Sequence, residues 1–448
     1  MVLCTESDAA TDDINRSSVR GRGSSRELRY PDFTVVFDHN NCHSWRLWRV
    51  CARIRTGESY LRYIYRNKII RYTGLSVVLV IVLALVGGGW YFSDVLEADG
   101  LRVDHSVPEN SVVVTAIDEN TVTLKQLPDV DEEERLSIPA LWGLTDGINY
   151  GQLGAPLSES DGQVTRELKL QQGVFQVGDE LYLERTGFPH DPFVAQSLPF
   201  EEVRISGELG EMEAWYVPHI ANVNYQDEGS DVWAIFVHGR TGNRAGTIRM
   251  LGSFGAHSLT IDYRNDEGAP ASESGYYDFG TTEWRDVEAA VQYALDNGAK
   301  RIVLVGFSMG GGIVVNYQLK SDLAKHTIGI VLDAPMLNFS RTIDKGAQER
   351  SVPAPITIFA KLFSSLRFGV DWSDLDFLSH ADELTVPILL IHGDNDDTVP
   401  IETSIEFAAA APEMVEFHTF EGAGHAEAWN WDRQRYGQLV RNFGQRIR

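Results

Sequence analysis

The hydrophobic pattern of the chain changes after about residue 200, where apolar runs begin to alternate with longer amphipathic stretches. Five of these runs are rich in β-branched residues and contain few polar positions: 232–238, 258–262, 301–307, 328–333 and 386–392. Strands that are apolar on both faces are typical of a parallel sheet covered by helices on each side. We therefore predict that residues 201–448 form an α/β domain, with a mostly parallel, doubly wound sheet and right-handed crossovers.

An amphipathic helix is predicted immediately before the third of these strands. The segment TTEWRDVEAAVQYALDNG (281–298) places its apolar residues, from Trp284 to Leu295, on one helical face. A threonine is expected to cap the start of this helix, and Gly298 is expected to end it. The helix would connect two strands of the sheet and cover one of its faces.

Residues 93–200 follow a different pattern, in which short alternating segments are separated by turn residues. The segment 111–127 alternates on both sides of an Asp-Glu-Asn turn, which predicts a β-hairpin, and 176–187 predicts a further strand that begins at a Gly-Asp turn. Aromatic residues and glycines are mixed in 141–154, which we interpret as a loop, either packed on the surface or close to a ligand. The whole stretch is predicted to be a small, β-rich accessory region.

A charge-free apolar segment lies at 73–92, and its twenty residues match the length of a helix that crosses a bilayer. Basic residues precede it and acidic residues follow it: Arg62, Arg66, Lys68, Arg71, Asp94, Glu97 and Asp99. Because basic residues stay on the cytoplasmic side, we expect the N-terminus inside the cytosol and the large domain outside. A cleaved signal peptide and a buried core helix are the alternatives. The roughly seventy residues that precede the apolar segment make the leader too long for a signal peptide. Core helices, in turn, are seldom free of charged residues over twenty positions.

The basic residues 1–72 are predicted to form a disordered cytoplasmic tail, because they are rich in Arg and Ser and show little hydrophobic periodicity. All the cysteines precede the apolar segment: Cys4, Cys42 and Cys51. The large domain therefore uses no disulfide bond. Together with His39 and His43, the cysteines match no standard zinc spacing, so we interpret them as free thiols and predict no metal ion.

Charge is divided unevenly along the chain, whose net charge is −25. Residues 1–72 carry 13 basic and 8 acidic side chains, whereas the remainder carries 26 basic and 56 acidic side chains. An acidic domain of this kind is repelled by nucleic acid and by anionic lipid headgroups, so no nucleic-acid partner is predicted. The composition says nothing about the oligomeric state.

The strand at 301–307 runs directly into the sequence Gly-Phe-Ser-Met-Gly, in which Ser308 lies between two glycines. A G-x-S-x-G sequence between an apolar strand and an apolar helix indicates a tight turn that exposes a nucleophilic serine. Gly306 and Gly310 are needed because side chains at these positions would clash within the turn. Ser308 is therefore the candidate nucleophile, and it requires a base and an acid to activate it.

The acid and the base are expected after the serine along the chain, with the acid first and the histidine second. His425 lies in a glycine-rich turn after the last predicted strand, whereas the other histidines that follow Ser308 lie in or beside regular elements. His425 is therefore the candidate base. The segment HGDNDDTVP ends the strand at 386–392 and offers three candidate acids: Asp394, Asp396 and Asp397.

The negative oxygen that forms during acyl transfer needs two backbone N–H donors. One candidate is the amide of Met309, directly after the serine, where the following helix begins. The other is the amide of Arg240, in the loop after the strand at 232–238, where Gly239 and Gly242 let the backbone approach closely.

With the motifs VHGRTGN, GFSMGG, HGDNDDTVP and GAGH, the chain from about Val203 to its end resembles the α/β-hydrolase superfamily. It is most similar to serine-aminopeptidase-like and acyl-thioesterase-like members, and residues 1–200 lie outside the resemblance. In this superfamily, the acid of an H-G-x-x-D-x-x-V-P segment occupies the position of Asp396. The resemblance thus implies a triad of Ser308, Asp396 and His425, and the alternative acids are Asp394, Asp397 and Asp333.

The apolar, proline-broken segment VPAPITIFAKLFSSLRFG lies between the strands at 328–333 and 386–392. In the superfamily such an insertion can be a cap that walls an acyl pocket, which here would occupy 338–382. The alternative interpretation is that these helices simply pack on the sheet.

These features predict a membrane-anchored, extracytoplasmic serine hydrolase that cleaves a carboxylic ester or thioester through an acyl-enzyme and uses no cofactor. Its substrate would be a small molecule or an acyl ester. A peptidase or amidase and an acyltransferase with the same triad are alternatives, as is a noncatalytic surface module that kept the fold for binding. The complete set of three candidate residues argues against the binding module. A serine nucleophile argues against halide or epoxide chemistry, which uses an aspartate nucleophile in this fold.

Overall fold

The computed structural model of the protein describes five stretches of the chain: residues 27–30, 33–36, 45–128, 133–219 and 231–448. It divides into two compact units, and the boundary falls between Ile81 and Val82. The tail residues Cys4, His39, Cys42 and His43 lie outside these stretches. The interpretation of the cysteines as free thiols therefore stays a prediction.

The described part of the first unit contains two short strands and the beginning of a long helix. These elements are β1 (Glu27–Tyr30), the antiparallel β2 (Phe33–Val36) and α1 (Trp45–Leu96), which continues into the second unit and ends in a π-helical turn, Glu97–Leu101. Of the described residues, Tyr65–Leu101 is the one helical stretch that is long and apolar enough to cross a membrane, by length and composition. The predicted span at 73–92 lies within it.

Helix α1 begins well before the predicted span, and residues 45–72, which the sequence assigns to a disordered tail, are helical. The expectation of disorder is wrong for this part of the tail. The stretch contains no proline, and once a helix has formed, each further residue adds one backbone hydrogen bond. The helix is therefore extended toward the N-terminus from the apolar segment.

The residues after α1 fold into a closed six-stranded barrel, which corresponds to the predicted β-rich region. The elements of this region are β3 (Val112–Ile117), β4 (Thr121–Gln126), α2 (Glu133–Ser137), β5 (Trp142–Thr145), β6 (Tyr150–Ser160), β7 (Gln163–Gln172), β8 (Glu180–Glu184) and α3 (Pro192–Gln196). The strands follow the order β3-β4-β7-β6-β5-β8, and neighbouring strands are antiparallel. The hairpin predicted at 111–127 is β3 and β4, and the strand predicted at 176–187 is β8.

The loop predicted at 141–154 is wrong, because this stretch forms β5 and the beginning of β6 in the barrel wall. Trp142 and Leu144 are completely buried in the barrel core. Between them, Gly143 leaves room for the ring of Tyr150 on the neighbouring strand, because a side chain at position 143 would overlap that ring. Glycines that favour a loop in the sequence therefore mark close packing inside a small barrel.

The guanidinium of Arg166, on β7, is buried inside this region and donates hydrogen bonds to five backbone carbonyl groups. They belong to Gly154 at 2.9 Å, Arg135 at 3.2 Å, Leu136 at 2.7 Å, Ile138 at 3.0 Å and Ala140 at 2.6 Å. Burial lowers the pKa of Arg166 to about 10. These bonds tie the segment that leads into β5 to the wall of the barrel.

The remaining chain forms the predicted α/β domain around an eight-stranded sheet. Its elements are β9 (Glu201–Ser206), β10 (Glu211–Val217), β11 (Val232–Val237), β12 (His257–Ile261), α4 (Trp284–Asp296), β13 (Arg301–Phe307), α5 (Met309–Lys320), β14 (Thr327–Asp333), α6 (Phe339–Glu349), α7 (Ala354–Phe368), β15 (Ile388–Gly393), α8 (Ile401–Ala410), β16 (Val415–Phe420), α9 (Ala428–Trp431) and α10 (Arg433–Arg446). The strand order is β16-β15-β14-β13-β11-β12-β10-β9, and only the pairings of β10 with β12 and β9 are antiparallel in this sheet. The fold class predicted from the five apolar runs is confirmed.

Both faces of this sheet are covered, which explains why its central strands are continuous apolar runs. All residues of β11 and β15 are buried, and the predicted inner face of α4 is buried as well. The predicted threonine cap of α4 is wrong, since Glu283 precedes the helix without a capping bond and Thr282 donates to Asp278 instead. The strands β11, β13 and β15 end at the same edge of the sheet, and the candidate site lies there.

Candidate active site

The turn at Ser308 joins β13 to α5 and holds its backbone in an uncommon conformation. Ser308 has φ 52° and ψ −118°, which few residues other than glycine adopt. A side chain on Gly310 would overlap the carbonyl oxygen of Val237, and one on Gly306 would lie 2.5 Å from the carbonyl oxygen of Gly310. The two glycines thus permit the turn, and the turn directs the serine hydroxyl away from the sheet.

The side chains of Ser308 and His425 are in direct contact. Nε2 of His425 lies 2.8 Å from Oγ of Ser308, and Nδ1 lies 2.8 Å from Oδ2 of Asp396. Because an ionised carboxylate only accepts hydrogen bonds, Nδ1 carries the proton and Nε2 is free to accept the serine proton. The structure therefore brings together the three residues that the sequence predicted, in the relative positions that a nucleophile, a base and an acid need.

Asp396 is held in its ionised form by a full set of donors. Its Oδ1 accepts the backbone N–H groups of Thr398 and Val399, at 2.8 and 2.7 Å, and Nε2 of His392 lies 2.9 Å from Oδ2. Burial opposes ionisation, but the hydrogen bonds from His392 and His425 outweigh it and hold the pKa of Asp396 well below its usual range. Asp396 thus stays charged beside the imidazole of His425.

The three alternative acids have other partners. Asp394 accepts the backbone N–H of Gly422 at 2.6 Å, and Asp397 accepts the hydroxyl of Thr398 at 2.9 Å. Asp333 is fully buried, and one of its oxygens lies 3.2 Å from the guanidinium of Arg249 and 2.8 Å from the hydroxyl of Tyr436. Burial raises the pKa of Asp333 in spite of Arg249. The geometry favours Asp396 over these alternatives.

The two candidate oxyanion donors both border the serine. Met309 follows Ser308 as the first residue of α5, and Arg240 lies in the loop after β11. This loop passes so close that a side chain on Gly239 would lie 3.0 Å from Cβ of Ser308. Arg240, Met309 and Ser308 line the same cavity. The role of the two amides stays a prediction.

A buried network that the sequence did not predict supports this loop. His238 ends β11, its Nε2 lies 3.0 Å from Oδ2 of Asp266, and its Nδ1 lies 2.9 Å from the carbonyl oxygen of Gly239. The hydroxyl of Tyr263 lies 3.1 Å from the carbonyl oxygen of His238. Burial opposes protonation of His238, but the carboxylate of Asp266 outweighs it and raises the pKa of this histidine. The network fixes the backbone that leads to Arg240.

Part of this network also has the donor atoms of a metal site. Within the described part of the chain, His238, Asp262 and Asp266 are the one group whose ligand atoms lie within 4.8 Å of one another. Nε of Arg244, however, lies 3.1 Å from Asp262 and supplies a positive charge of its own. The set therefore has a structural explanation in which hydrogen bonds and an ion pair satisfy the buried groups.

A cavity of about 320 Å³ opens beside Ser308. Its apolar wall is formed by residues after the predicted membrane span, by the loops before α4 and α6, and by α6 itself, and it includes Val95, Leu96, Phe279, Met336, Phe339 and Ile343. Helix α7 contributes Thr357 and Ala360. The predicted cap at 338–382 thus supplies part of the cavity wall, whereas no pattern in the sequence indicated that the end of α1 would supply another part.

The barrel contacts the loop that carries His425. Nη1 of Arg185, directly after β8, donates to the carbonyl oxygen of His425 at 2.8 Å. The side-chain amide of Asn430 donates to the carbonyl oxygens of Leu141 and Arg185, at 2.7 and 2.8 Å. These bonds join residues that are about 240 or more positions apart in the chain, so no local pattern could have predicted them.

Comparisons with known proteins agree with the α/β fold of the C-terminal domain. Residues 234–439 match the family model described as alpha/beta hydrolase family. Over 246 residues the chain is 23% identical to the lysophosphatidylserine lipase ABHD12 of Macaca fascicularis, which amounts to 48% of this chain and 55% of that protein. It is 24% identical over 173 residues to putative esterase/lipase 2 of Mycoplasma pneumoniae, or 31% of this chain and 62% of that relative.

Among solved structures, an esterase of Pyrococcus furiosus is similar to this chain. It is 25% identical, the similarity covers 56% of this chain and 92% of the esterase, and the TM-score is 0.44. The chain spans less than two thirds of the length of the two curated relatives, 55% and 62%.

Proposed function

Because residues 234–439 match the alpha/beta hydrolase family model, we propose that the chain is a membrane-anchored serine hydrolase that cleaves a carboxylic ester or thioester. The observation that carries the proposal is the 2.8 Å contact between Nε2 of His425 and Oγ of Ser308, with Nδ1 bonded to Asp396. A serine hydroxyl becomes a nucleophile only when a positioned base accepts its proton.

In the proposed reaction, Oγ of Ser308 attacks the carbonyl carbon of the ester while Nε2 of His425 takes the hydroxyl proton. Asp396 keeps Nδ1 protonated and stabilises the imidazolium. The tetrahedral intermediate collapses when Nε2 returns the proton to the leaving oxygen or sulfur, so the alcohol or thiol departs and the acyl group stays on Ser308. A water molecule, activated by His425 in the same way, then releases the acid and restores the serine.

The developing negative oxygen would be stabilised by the amides of Met309 and Arg240. The amide of Met309 belongs to the first turn of α5, where backbone N–H groups have no partner within the helix. The hydrogen bonds of His238 hold the loop of Arg240 in place before substrate arrives. Donors that are fixed in advance contribute most to catalysis, because they need no reorganisation during the reaction.

An acyl ester is the substrate class that the cavity favours. Its wall is mostly apolar and begins at Ser308, which suits a hydrocarbon chain whose carbonyl group lies at the nucleophile. The similar proteins include a lysophosphatidylserine lipase and an esterase/lipase, which supports this class over a peptide. The basic residues before the apolar span and the acidic residues after it support a catalytic domain outside the cytosol.

A fluorophosphonate probe, applied to the full-length protein, tests the proposal. We expect covalent labelling of the unmodified protein and loss of the label in Ser308→Ala and His425→Ala. Ser379→Ala, which removes the hydroxyl of an exposed serine, should label normally. No labelling of the folded protein would favour a noncatalytic binding module.

The substrate class is decided with p-nitrophenyl esters of increasing chain length, acyl-CoA thioesters and aminoacyl amides. Preference for long acyl esters supports the lipase-like activity. Turnover of the amides alone would favour a peptidase or amidase, and product formation that depends on an added alcohol would favour an acyltransferase.

A further inference from the structure

The exposed face of α7 carries no polar side chain. The five residues of this helix that are exposed are all apolar, and we call them the α7 stripe: Ala354, Pro355, Ile358, Leu362 and Leu366. From Pro355 onward they are spaced three or four positions apart, so they form a continuous line along one side of the helix. The three large side chains are 65%, 50% and 73% exposed at Ile358, Leu362 and Leu366. A continuous apolar face of this kind marks a surface that contacts another apolar phase.

The two cations of α7 point away from this stripe and are neutralised. Nζ of Lys361 lies 2.6 Å from Asp344 on α6. The guanidinium of Arg367 lies 2.5 Å from Asp94, just after the apolar span, and 2.6 Å from the hydroxyl of Ser93. No charge on α7 therefore has to be moved out of water when the α7 stripe enters an apolar phase.

The inner side of α7 packs against the end of the apolar span. A side chain on Gly89 would overlap Cβ of Phe359, so the glycine lets the two helices touch. The rings of Trp90 and Phe363 are 5.6 Å apart, and the guanidinium of Arg367 lies 4.1 Å from the centre of the Trp90 ring. Interfacial tryptophans lie at the headgroup level of a bilayer. These contacts fix α7 at the depth where α1 leaves the membrane.

We propose that the α7 stripe is a second membrane-contacting surface, which lies in the headgroup and upper acyl region of the outer leaflet while α1 crosses the bilayer. Amphipathic helices bind membranes in this orientation, with the apolar face down. Here the polar partners of the helix are supplied by α6 and by the residues after the span. A bilayer is the occupant that fits, because the other side of α7 packs against the end of an apolar span that itself requires lipid around it.

The same helix separates this surface from the cavity at Ser308. Thr357 and Ala360 line the cavity on the inner side of α7, and Val95 and Leu96 line it from the end of α1. If the hydrolase function proposed above is correct, the site therefore takes its acyl ester from lipids at the membrane surface rather than from free solution. This extension depends on the proposed function, whereas the membrane contact itself does not.

Quenching by lipid-attached spin labels tests the membrane contact in the full chain. The three cysteines lie before residue 52 and are replaced by serine, so single cysteines at Ile358, Leu362 or Leu366 can carry an NBD fluorophore. In nanodiscs that contain doxyl-labelled phosphatidylcholine, we expect at least twofold quenching at all three positions. Leu83→Cys, inside the apolar span, serves as the quenched reference. Ile405→Cys, a 49% exposed apolar position on α8, serves as the unquenched one.

Two results would overturn the membrane contact. One is quenching at the three α7 positions that does not exceed the value at Ile405. The other is protection from the lipid quencher together with energy transfer between labels on different chains, which would show that a second copy covers the stripe.

Hydrolysis assays distinguish the uptake of substrate from the membrane from the proposed hydrolase function itself. In the triple variant Ile358→Gln, Leu362→Gln and Leu366→Gln, we expect about a tenfold loss of kcat/KM for an ester embedded in the bilayer and no change for p-nitrophenyl acetate in solution. Ile405→Gln should change neither. Equal rates of the triple variant and the unmodified chain on the embedded ester would contradict uptake from the membrane. Failure of the unmodified chain to hydrolyse either ester would contradict the proposed function, and the quenching result would still decide the membrane contact.

Discussion

His392 lies 2.9 Å from Asp396 and contacts the same carboxylate oxygen, Oδ2, that contacts His425. Nδ1 of His392 lies 2.7 Å from the hydroxyl of Ser404. Because Asp396 is ionised and can only accept, Nε2 of His392 carries the proton and Nδ1 accepts from Ser404. Asp396 is thus held from two sides, by His425 on the side of Ser308 and by His392 from within the fold.

Substitution of His392 tests this orientation. We expect His392→Leu to raise the pKa of Asp396, because a donor to the carboxylate is lost, and to lower kcat/KM about tenfold, which corresponds to about 1.4 kcal/mol. The acid limb of the pH–rate profile should move to higher pH. His392→Gln, whose side-chain amide can replace Nε2 as the donor, should recover most of the activity. Equal losses in both variants would contradict the role of the hydrogen bond.

Four separate Asp→Asn substitutions test which aspartate is the acid of the candidate triad. Asp396→Asn should lower kcat by about three to four orders of magnitude, because an amide no longer keeps His425 in the required tautomer. Asp394→Asn and Asp397→Asn should keep most of the activity. Asp333→Asn should mainly lower the thermal unfolding midpoint, since it weakens the buried pair with Arg249. Activity that survives in Asp396→Asn but not in one of the others would reassign the acid.

Gly239→Ala tests the close approach of the loop after β11 to Ser308. The added methyl group would lie 3.0 Å from Cβ of Ser308 and 3.2 Å from the carbonyl oxygen of Phe307, so the loop or the serine must shift. A displacement of about 1 Å can reduce activity about a hundredfold. Gly246→Ala is the control, because a methyl group there meets no atom within 4 Å. The labelling rate with a fluorophosphonate measures both variants, and equal rates would show that the loop tolerates the methyl group.

Glu283 should make the free energy of unfolding depend on pH, because its pKa is raised in the folded protein. Burial, reinforced by the carboxylate of Asp278, raises the pKa of Glu283 from 4.5 to about 7, although the amides of Asp278 and Gly280 donate to it. The stability that protonated Glu283 contributes is complete below about pH 4.5 and is lost as the pH rises through about 7. Relative to Glu283→Gln, the unfolding free energy should fall by about 3 kcal/mol from pH 4.5 to pH 8.

Thermal unfolding in detergent micelles at several pH values measures this difference. The exposed Glu413→Gln serves as the control and should follow the unmodified protein at every pH. A gap between the unmodified protein and Glu283→Gln that stays constant with pH would contradict the shifted pKa.

Arg166→Met should destabilise the barrel. It removes the donors of several buried carbonyl groups, and each carbonyl left without a partner costs about 1–3 kcal/mol. Limited proteolysis of the full chain should detect faster cleavage between β3 and β8. Arg204→Met removes an exposed arginine of β9 instead and should leave the cleavage rate unchanged. Because Arg185 holds the backbone of His425, we also expect activity to fall in Arg166→Met.

The sequence predicted the α/β domain well because its strands are buried on both faces and because the turn at Ser308 has strict steric requirements. Those features depend on neighbouring residues, so they appear as apolar runs and as glycines at fixed spacing. Ser308 and His425 were predicted from the strand–turn–helix pattern and from a glycine-rich turn, whereas the choice of Asp396 came from the resemblance to a known superfamily. The structure places their side chains within hydrogen-bonding distance of one another.

The features that the sequence did not predict depend on contacts between distant segments. His392 appeared to be only the end of a strand, although its spacing of four residues from Asp396 was a signal that could have been used. The glycines of 141–154 suggested a loop, and only the closed barrel shows why they are needed. Gly89, at the end of the apolar span, likewise permits a close contact with Phe359 that lies far away in the sequence.

The wall that Val95 and Leu96 give to the cavity has a practical meaning for work with shortened forms of the protein. A protein that begins after Leu101 would keep Ser308, Asp396 and His425, but the cavity beside Ser308 would be open on one side. If the proposed hydrolase function is correct, substrate screens on such a fragment would favour short, soluble esters over the esters that the full chain prefers. The end of the apolar helix is, in this sense, also a wall of the candidate active site.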